Sequence, residues 1–379
     1  MSKIVFVSNI SDRISSFVTA SIAAAHSLDM DFYQVANWEG GEKSQIEADQ
    51  KTYDIKIKSV SFSRNPLALK NISAYKDLVS LIKQENIDYI HCNTPTGGLV
   101  GRLAGKKCKV KKVIYQAHGF HFYKGSPKKN WLIYYTVEKL LARFTDALIT
   151  INREDYEAAK RFKLKNGGKV FFVHGVGIDT AAYTPSAETR ASKRAELGLG
   201  EEDFCVVSVG RLDANKNNET LIRAIGKLEN KNVRLIICGD GEQRERLTDL
   251  MAELGVADRV TLLGNRNDMA EIYCAVDALA MASFREGLSR TLMEAMASGL
   301  PCVASKIRGN VDLIEDGVGG YLRAPNDVDG FAEAISKLAS DAELCAKMRE
   351  INLETVKSYD VSVVEKEIRE IYREVLAEN

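Results

Sequence analysis

The chain predicts an α/β fold of two parallel-sheet domains, and three observations carry that prediction. Short apolar runs of strand length alternate with amphipathic helical patterns, such as Asn218–Leu228 and Glu242–Leu254. Such alternation places parallel strands under helices on both faces. The pattern stops near Gly175–Ala195, where the chain turns polar and loses its period, as at a domain boundary. Finally, 379 residues, 45% of them apolar, are enough to fill more than one core. The expected domains are residues 1–180 and 181–360.

The strands follow in order. In the first half the apolar runs Ile4–Ser8, Phe32–Ala36, Ile55–Val60, Tyr89–Cys92, Val113–Gln116, Ala147–Ile151 and Val170–Val173 have strand length and composition. In the second half the runs are Cys205–Val209, Arg234–Cys238, Val260–Leu263, Ala278–Ala282 and Cys302–Ala304. Val361–Glu378 reads as a charged amphipathic helix, and Trp131–Phe144 is helical in composition and rich in large aromatics.

Composition excludes several classes. Six prolines and no low-complexity tract argue against long disorder. No apolar run reaches the 18 or so residues of a membrane span, and KIVFVSNIS is too short for a signal peptide. Seven scattered cysteines, odd in number and without C-x-x-C spacing, read as reduced core thiols of a cytoplasmic protein. Net charge is zero but unevenly spread. Residues 1–180 hold 27 Lys+Arg against 17 Asp+Glu, which leaves 25 against 35 for the rest. A basic half suggests an anionic partner. Its cations gather at Arg102–Lys112 and Lys124–Lys129, beside the aromatic Trp131–Phe144 segment. That segment is either a helix lying on the anionic inner face of a membrane or a core helix flanked by solvated lysines. No aromatic-basic motif points to nucleic acid.

Ligands of open α/β sheets bind beyond the carboxyl ends of strands, so the loops there matter most. After Cys205–Val209 comes Gly210-Arg211-Leu212-Asp213-Ala214-Asn215-Lys216. A glycine turn with two cations suits a diphosphate: Arg211 can fork to two oxygens and Lys216 adds a point charge. The next strand ends at Gly239-Asp240-Gly241, and the one after it at Gly264-Asn265-Arg266. The stretch Ser283–Ser305, SFREGLSRTLMEAMASGLPCVAS, sets Glu286 and Glu294 eight positions apart across Gly287 and a helix start. There the N–H groups of Leu288, Ser289 and Arg290 can converge on an anion, and the carboxylates can grip hydroxyls. In the first half, His118 opens HGFHFYKG directly after a strand, with His121 close behind it. Asp29-Met30-Asp31 and Asp327-Val328-Asp329 have D-x-D form but read as turn or cap residues. No metal site is expected, and no cofactor.

The run Glu286, Gly287, Glu294, Ala295, Met296, Ala297, Gly299, Pro301 resembles the E-x7-E signature of retaining GT-B glycosyltransferases of family 4. The likeness spans most of the chain and is strongest from Phe204 to Ala324. Together with AHGFHFYKG and Ile149–Phe162 it is closest in character to capsule and exopolysaccharide transferases. The resemblance implies two Rossmann-like domains facing a central cleft, with the last helix (361–379) completing the first domain. It implies a nucleotide-diphosphate sugar, commonly a UDP-sugar, held by the second domain. Arg211 and Lys216 would hold the diphosphate, Glu294 the ribose, and Glu286 the sugar hydroxyls. Gly239, Gly241 and Asn265 would lie beside the nucleotide, and His118 would face the sugar. The acceptor it implies is a polyprenyl-diphosphate-linked saccharide, met by the first domain. Many members carry Gly-Gly after the first strand, whereas this chain has Ser8-Asn9-Ile10-Ser11. Asn9, Thr94 and His121 are its acceptor-side candidates. The expected activity is a retaining, metal-independent hexosyl- or N-acetylhexosaminyltransfer at the inner membrane face. Two rivals share the fold and the nucleotide: a UDP-N-acetylglucosamine 2-epimerase and a non-catalytic sugar-nucleotide sensor.

Overall fold

The structure, a computed structural model, describes residues 1–63, 68–165 and 167–376. The chain divides into two compact units, Met1–Gly177 with Val361–Asn379, and Ile178–Asp360.

In the first unit seven parallel strands form one sheet. They are β1 (Lys3–Ile10), β2 (Asp31–Asn37), β3 (Lys56–Ser59), β4 (Tyr89–Asn93), β5 (Lys112–Ala117), β6 (Ala147–Thr150) and β7 (Lys169–Phe172). Their spatial order is β3-β2-β1-β4-β5-β6-β7. Ile4, Val5, Phe6 and Val7 of β1 are all buried, as expected where helices cover both faces of a parallel sheet. β3 is an edge, and its Lys56 and Lys58 are the charged side chains that discourage further strand pairing. The order reverses between β1 and β4, so the loops leaving these strands diverge and open a crevice at their carboxyl ends. Helix Pro95–Cys108 lies unusually close to the sheet. A Cβ on Gly101 would sit 2.8 Å from Cys92 Cβ, and one on Gly98 would sit 2.4 Å from the Tyr115 ring.

The C-terminal helix Val361–Leu376 belongs to this first unit, packed against helix Ser16–His26. Its apolar side, Val364, Ile368, Ile371 and Tyr372, is buried at helical spacing. Tyr372 Oη meets His91 Nδ1 at 2.7 Å in the core, and Glu367 takes the His174 backbone N–H at 3.0 Å. Burial pushes the His91 imidazole down to about 3, so the ring stays neutral and hydrogen-bonds in place. The helix is described to Leu376. Residues 377–379 of the expected helix lie outside the described residues.

The second unit holds six parallel strands: β8 (Phe204–Val209), β9 (Val233–Cys238), β10 (Val260–Gly264), β11 (Ala278–Met281), β12 (Cys302–Ser305) and β13 (Gly320–Arg323). Their order is β10-β9-β8-β11-β12-β13, with the reversal between β8 and β11. Two apolar clusters sandwich this sheet. Leu221, Ile222, Ile225, Phe331 and Ile335 lie in one, and Leu292, Met293 and Met296 in the other. Among the described residues, twelve of the thirteen strands coincide with apolar runs in the sequence. β13 was not expected, because four residues with a leading glycine and a trailing arginine carry almost no periodic signal.

Removing the Tyr372 ring empties a buried site next to a buried imidazole. Tyr372→Ala is expected to lower unfolding free energy by about 3–5 kcal/mol, and Tyr372→Phe by about 1–2 kcal/mol. Urea midpoints followed by circular dichroism measure both, and equal losses would show that the hydroxyl contributes more than the ring.

Candidate active site

In the second unit the loops after β8, β9, β10 and β11 interlock at the reversal point. Gly210 N–H donates to Cys238 O at 2.9 Å, Leu212 N–H to Asp240 O at 3.0 Å, and Gly239 N–H to Gly264 O at 2.7 Å. Gly239 has φ of 135°, and a Cβ there would lie 1.9 Å from Gly210 O, so only glycine fits. A Cβ on Gly241 would likewise lie too close, 2.4 Å from Leu212 O. The β8 and β11 loops then join through Asn215. Its carbonyl accepts from Phe284 N–H at 2.8 Å, and its amide donates to Arg285 O at 3.1 Å.

This seam brings Lys216 Nζ to 2.9 Å from Glu286 Oε1. Both side chains are partly covered, at 21% and 16% exposure, which strengthens the pair over a surface ion pair. Asp213 Oδ1 accepts from Lys216 N–H and fixes the turn. Beyond Gly287, Ser289 caps helix Arg290–Ala297 by accepting from Leu292 N–H at 3.2 Å. Leu288 leads into that cap and packs on the core beside it. The sequence did not single out Arg308, which is buried and donates from Nε to Glu286 O at 3.3 Å.

Other predicted residues sit apart from the Lys216–Glu286 pair. The Arg211 guanidinium is exposed and turned to Glu242 at 3.0 Å. Asn265 is exposed on the turn after β10. Glu294 is 12% exposed, with Oε1 held by Arg290 Nε at 2.8 Å and Oε2 by Tyr273 Oη at 3.3 Å. Tyr183 completes that cluster. Burial, then the Glu294 charge, pushes its phenol up to about 12. Tyr183 and Tyr273 lie outside every strand-end loop, so reading loops alone does not find them. Their ring centroids are 6.0 Å apart.

In the first unit the candidates gather at the carboxyl ends of β1, β4 and β5. Thr94 adopts φ 61° and ψ 156°, a rare conformation for a β-branched residue, and its Oγ1 accepts from Gly97 N–H to cap helix Pro95–Cys108. His118 Nε2 is 3.4 Å from Asn93 Nδ2, and the Phe17 ring stands edge-on to the imidazole at 4.9 Å. Burial pushes His118 down to about 4, so it is neutral near pH 7. Among the described residues, Asn9 Oδ1, Asn93 Oδ1 and His118 Nδ1 are enclosed without a hydrogen-bonding partner. Next to them a cavity of about 220 Å³ is lined by Thr94, His118, His121, Tyr134 and Glu138. Glu138, another residue the sequence did not reveal, is held by the fully buried Arg102 at 2.7 Å and by Tyr115 Oη at 3.2 Å.

Asp29 lies in a left-handed turn, and Asp31 pairs with Lys56. Asp327 caps a helix through Gly330 N–H, and Asp329 pairs with Lys227. Among the described residues no group of three His, Cys, Asp or Glu side chains could hold a metal ion. No helix of these residues is long and apolar enough to cross a membrane.

Comparison with known proteins gives the family. Residues 189–354 match the family model "Glycosyl transferases group 1", and residues 3–152 match "Glycosyl transferase 4-like". The chain is 36% identical over 319 residues to the putative glycosyltransferase EpsD of Bacillus subtilis, covering 83% of this chain and 84% of that one. It is 29% identical over 318 residues to an Escherichia coli UDP-Gal:alpha-D-GlcNAc-diphosphoundecaprenol alpha-1,3-galactosyltransferase, covering 81% and 82%. Among solved structures, Anabaena Alr3699/HepE in complex with UDP and glucose superposes with a TM-score of 0.80 at 21% identity, covering 99% and 100%. With both units matched by these models and the fold shared throughout, the chain belongs to the bacterial GT-B glycosyltransferases of family 4.

Proposed function

We propose that this glycosyltransferase moves a sugar, with retention, from a UDP-sugar to a polyprenyl-diphosphate-linked saccharide in surface-glycan synthesis. The observation that carries the reading is the Lys216–Glu286 pair at the reversal point of the second sheet. A cation and a carboxylate held side by side suit a ligand that is anionic at one end and hydroxylated at the other. The UDP in HepE and the substrates named for the E. coli relative support the choice of donor and acceptor.

Lys216 turns from Glu286 to the diphosphate, and the exposed Arg211 leaves Glu242 to join it. Glu286 is then free to accept from sugar hydroxyls, and Glu294 from the ribose. As the bond from the anomeric carbon to the diphosphate breaks, its electron pair stays on the leaving oxygen. The two cations and the N–H groups of Leu288, Ser289 and Arg290 stabilise that charge. The acceptor oxygen bonds to the anomeric carbon on the same face, and its proton passes to the leaving phosphate. No metal enters this scheme. His118, neutral and fixed by Asn93, serves the transfer rather than nucleotide binding.

The acceptor reading draws the first unit to a lipid surface. Along the helical segment from Lys128 to Phe144, Leu132 is 74% exposed, Ile133 54% and Leu140 51%, and the Trp131–Tyr135 turn is a π-helix. Lys124, Lys128, Lys129 and Lys139 are exposed beside them. An apolar stripe with a basic margin is the composition of a helix lying in an anionic interface.

Three outcomes are expected. UDP and UDP-sugars raise the melting temperature of the wild type more than other nucleotides do. Lys216→Ala and Glu294→Ala each abolish that shift, while His118→Ala keeps it and lowers turnover. A retained shift in both of the first two variants would place the nucleotide elsewhere. In transfer assays EDTA leaves the rate unchanged, and loss of activity restored by a divalent cation would refute metal-independent chemistry. In vesicle flotation Leu132→Glu with Leu140→Glu weakens binding to anionic vesicles at least tenfold, because each buried leucine contributes roughly 1.5–3 kcal/mol. Unchanged flotation would return this helix to an ordinary solvated face.

A further inference from the structure

A second recess in the first unit lies away from the strand-end site. A groove of about 700 Å³ runs between helices Lys70–Gln84 and Pro95–Cys108. Its walls are apolar, with Ile72 and Tyr75 on one side and Leu99 and Leu103 on the other. Ile72 is 54% exposed, and Leu69 at the start of the same helix is 80% exposed. An open apolar surface of this kind is costly in water and marks a place that something covers.

The groove is apolar along its length and cationic at one end. Lys106, Lys107 and Lys109 lie at the close of helix Pro95–Cys108, all exposed. Among the described residues none of the three is held by a carboxylate. The carbonyl end of a helix favours cations placed there. Helix Pro95–Cys108 starts at Thr94 on the candidate site and runs away from it, so the lysines lie at the end remote from that site. This excludes the acceptor's diphosphate, which must reach the site of transfer. At that end of the groove Lys106 Nζ sits 3.9 Å over the Phe144 ring, at the close of the Lys128–Phe144 segment.

We infer that the groove between helices Lys70–Gln84 and Pro95–Cys108 binds one acidic membrane phospholipid. An acyl chain lies along Ile72, Tyr75, Leu99 and Leu103, and the phosphate rests on Lys106, Lys107 and Lys109. The chain covers the apolar wall, and the phosphate gains three cations at a helix end. Such a lipid would anchor the first unit independently of the acceptor and would make the enzyme sense membrane charge. The inference rests on the reading that this unit faces a lipid surface.

The test uses the full chain and monomeric dihexanoyl phosphatidylglycerol, below its micellar concentration, in isothermal titration calorimetry. No bilayer is present, so failure here is separate from failure of flotation by the Leu132→Glu, Leu140→Glu protein. Saturable binding with one lipid per chain is expected. It weakens at least tenfold in Ile72→Glu, an exposed position that leaves the core intact, and equally in Lys107→Glu with Lys109→Glu. Dihexanoyl phosphatidylcholine and inorganic phosphate, each lacking one half of the match, bind at least tenfold more weakly. An unchanged UDP-induced melting shift confirms that each variant is folded. Lipid binding that survives both variants overturns the proposal, as does equal binding of inorganic phosphate, or no binding of the monomeric lipid.

Discussion

Lys216 and Glu286 lie seventy residues apart with three helices and three strands between them, yet their side chains meet at 2.9 Å. The contact exists because β8 and β11, neighbours in the sheet but distant in the chain, send their loops to one place. The fit is tight enough to dictate residue type around it. A side chain at Gly239 would strike Gly210 O, and one at Gly309 would come 2.4 Å from Gly287 O. Steric exclusion at these glycines draws four loops together, and the ion pair closes the seam between two of them.

The two units answer different demands with the same topology. The crevice of the second is electrostatic, with partly covered Lys216 paired to Glu286 and exposed Arg211 paired to Glu242. The crevice of the first is built of neutral polar groups: Asn9, Asn93, Thr94 and a His118 kept uncharged by burial. Charge suits a diphosphate, which brings its own. Neutral donors and acceptors suit hydroxyls, which would lose specificity next to a strong field.

Much of this was legible in the residues. Parallel strands buried on both faces are uninterrupted apolar runs, so β1, β8, β9 and their neighbours announce themselves. The Lys216 and Glu286 loops were found because glycine and charge directly after an apolar run mean a strand end. β13 was lost because Gly320 and Arg323 dilute a four-residue signal. Tyr183, Tyr273 and Arg308 were missed for another reason. Each reaches its partner from an element whose local pattern is ordinary, and only tertiary packing turns the side chain toward Glu294 or Glu286. Arg102 and Glu138 are a harder case. Both sit among lysines and leucines that read as surface, yet Arg102 is fully buried against Tyr115, with its guanidinium carbon 3.8 Å from the ring centroid.

The helix that ends the chain has a bearing on how the molecule is made. Tyr372 lies 281 residues after the His91 it contacts. During vectorial synthesis the seven strands of the first unit emerge long before the segment that seals them, and all of Ile178–Asp360 emerges in between. The later-born unit therefore holds every residue it needs while the earlier-born one still waits with its histidine uncovered. Birth order and order of completion are therefore reversed between the two units.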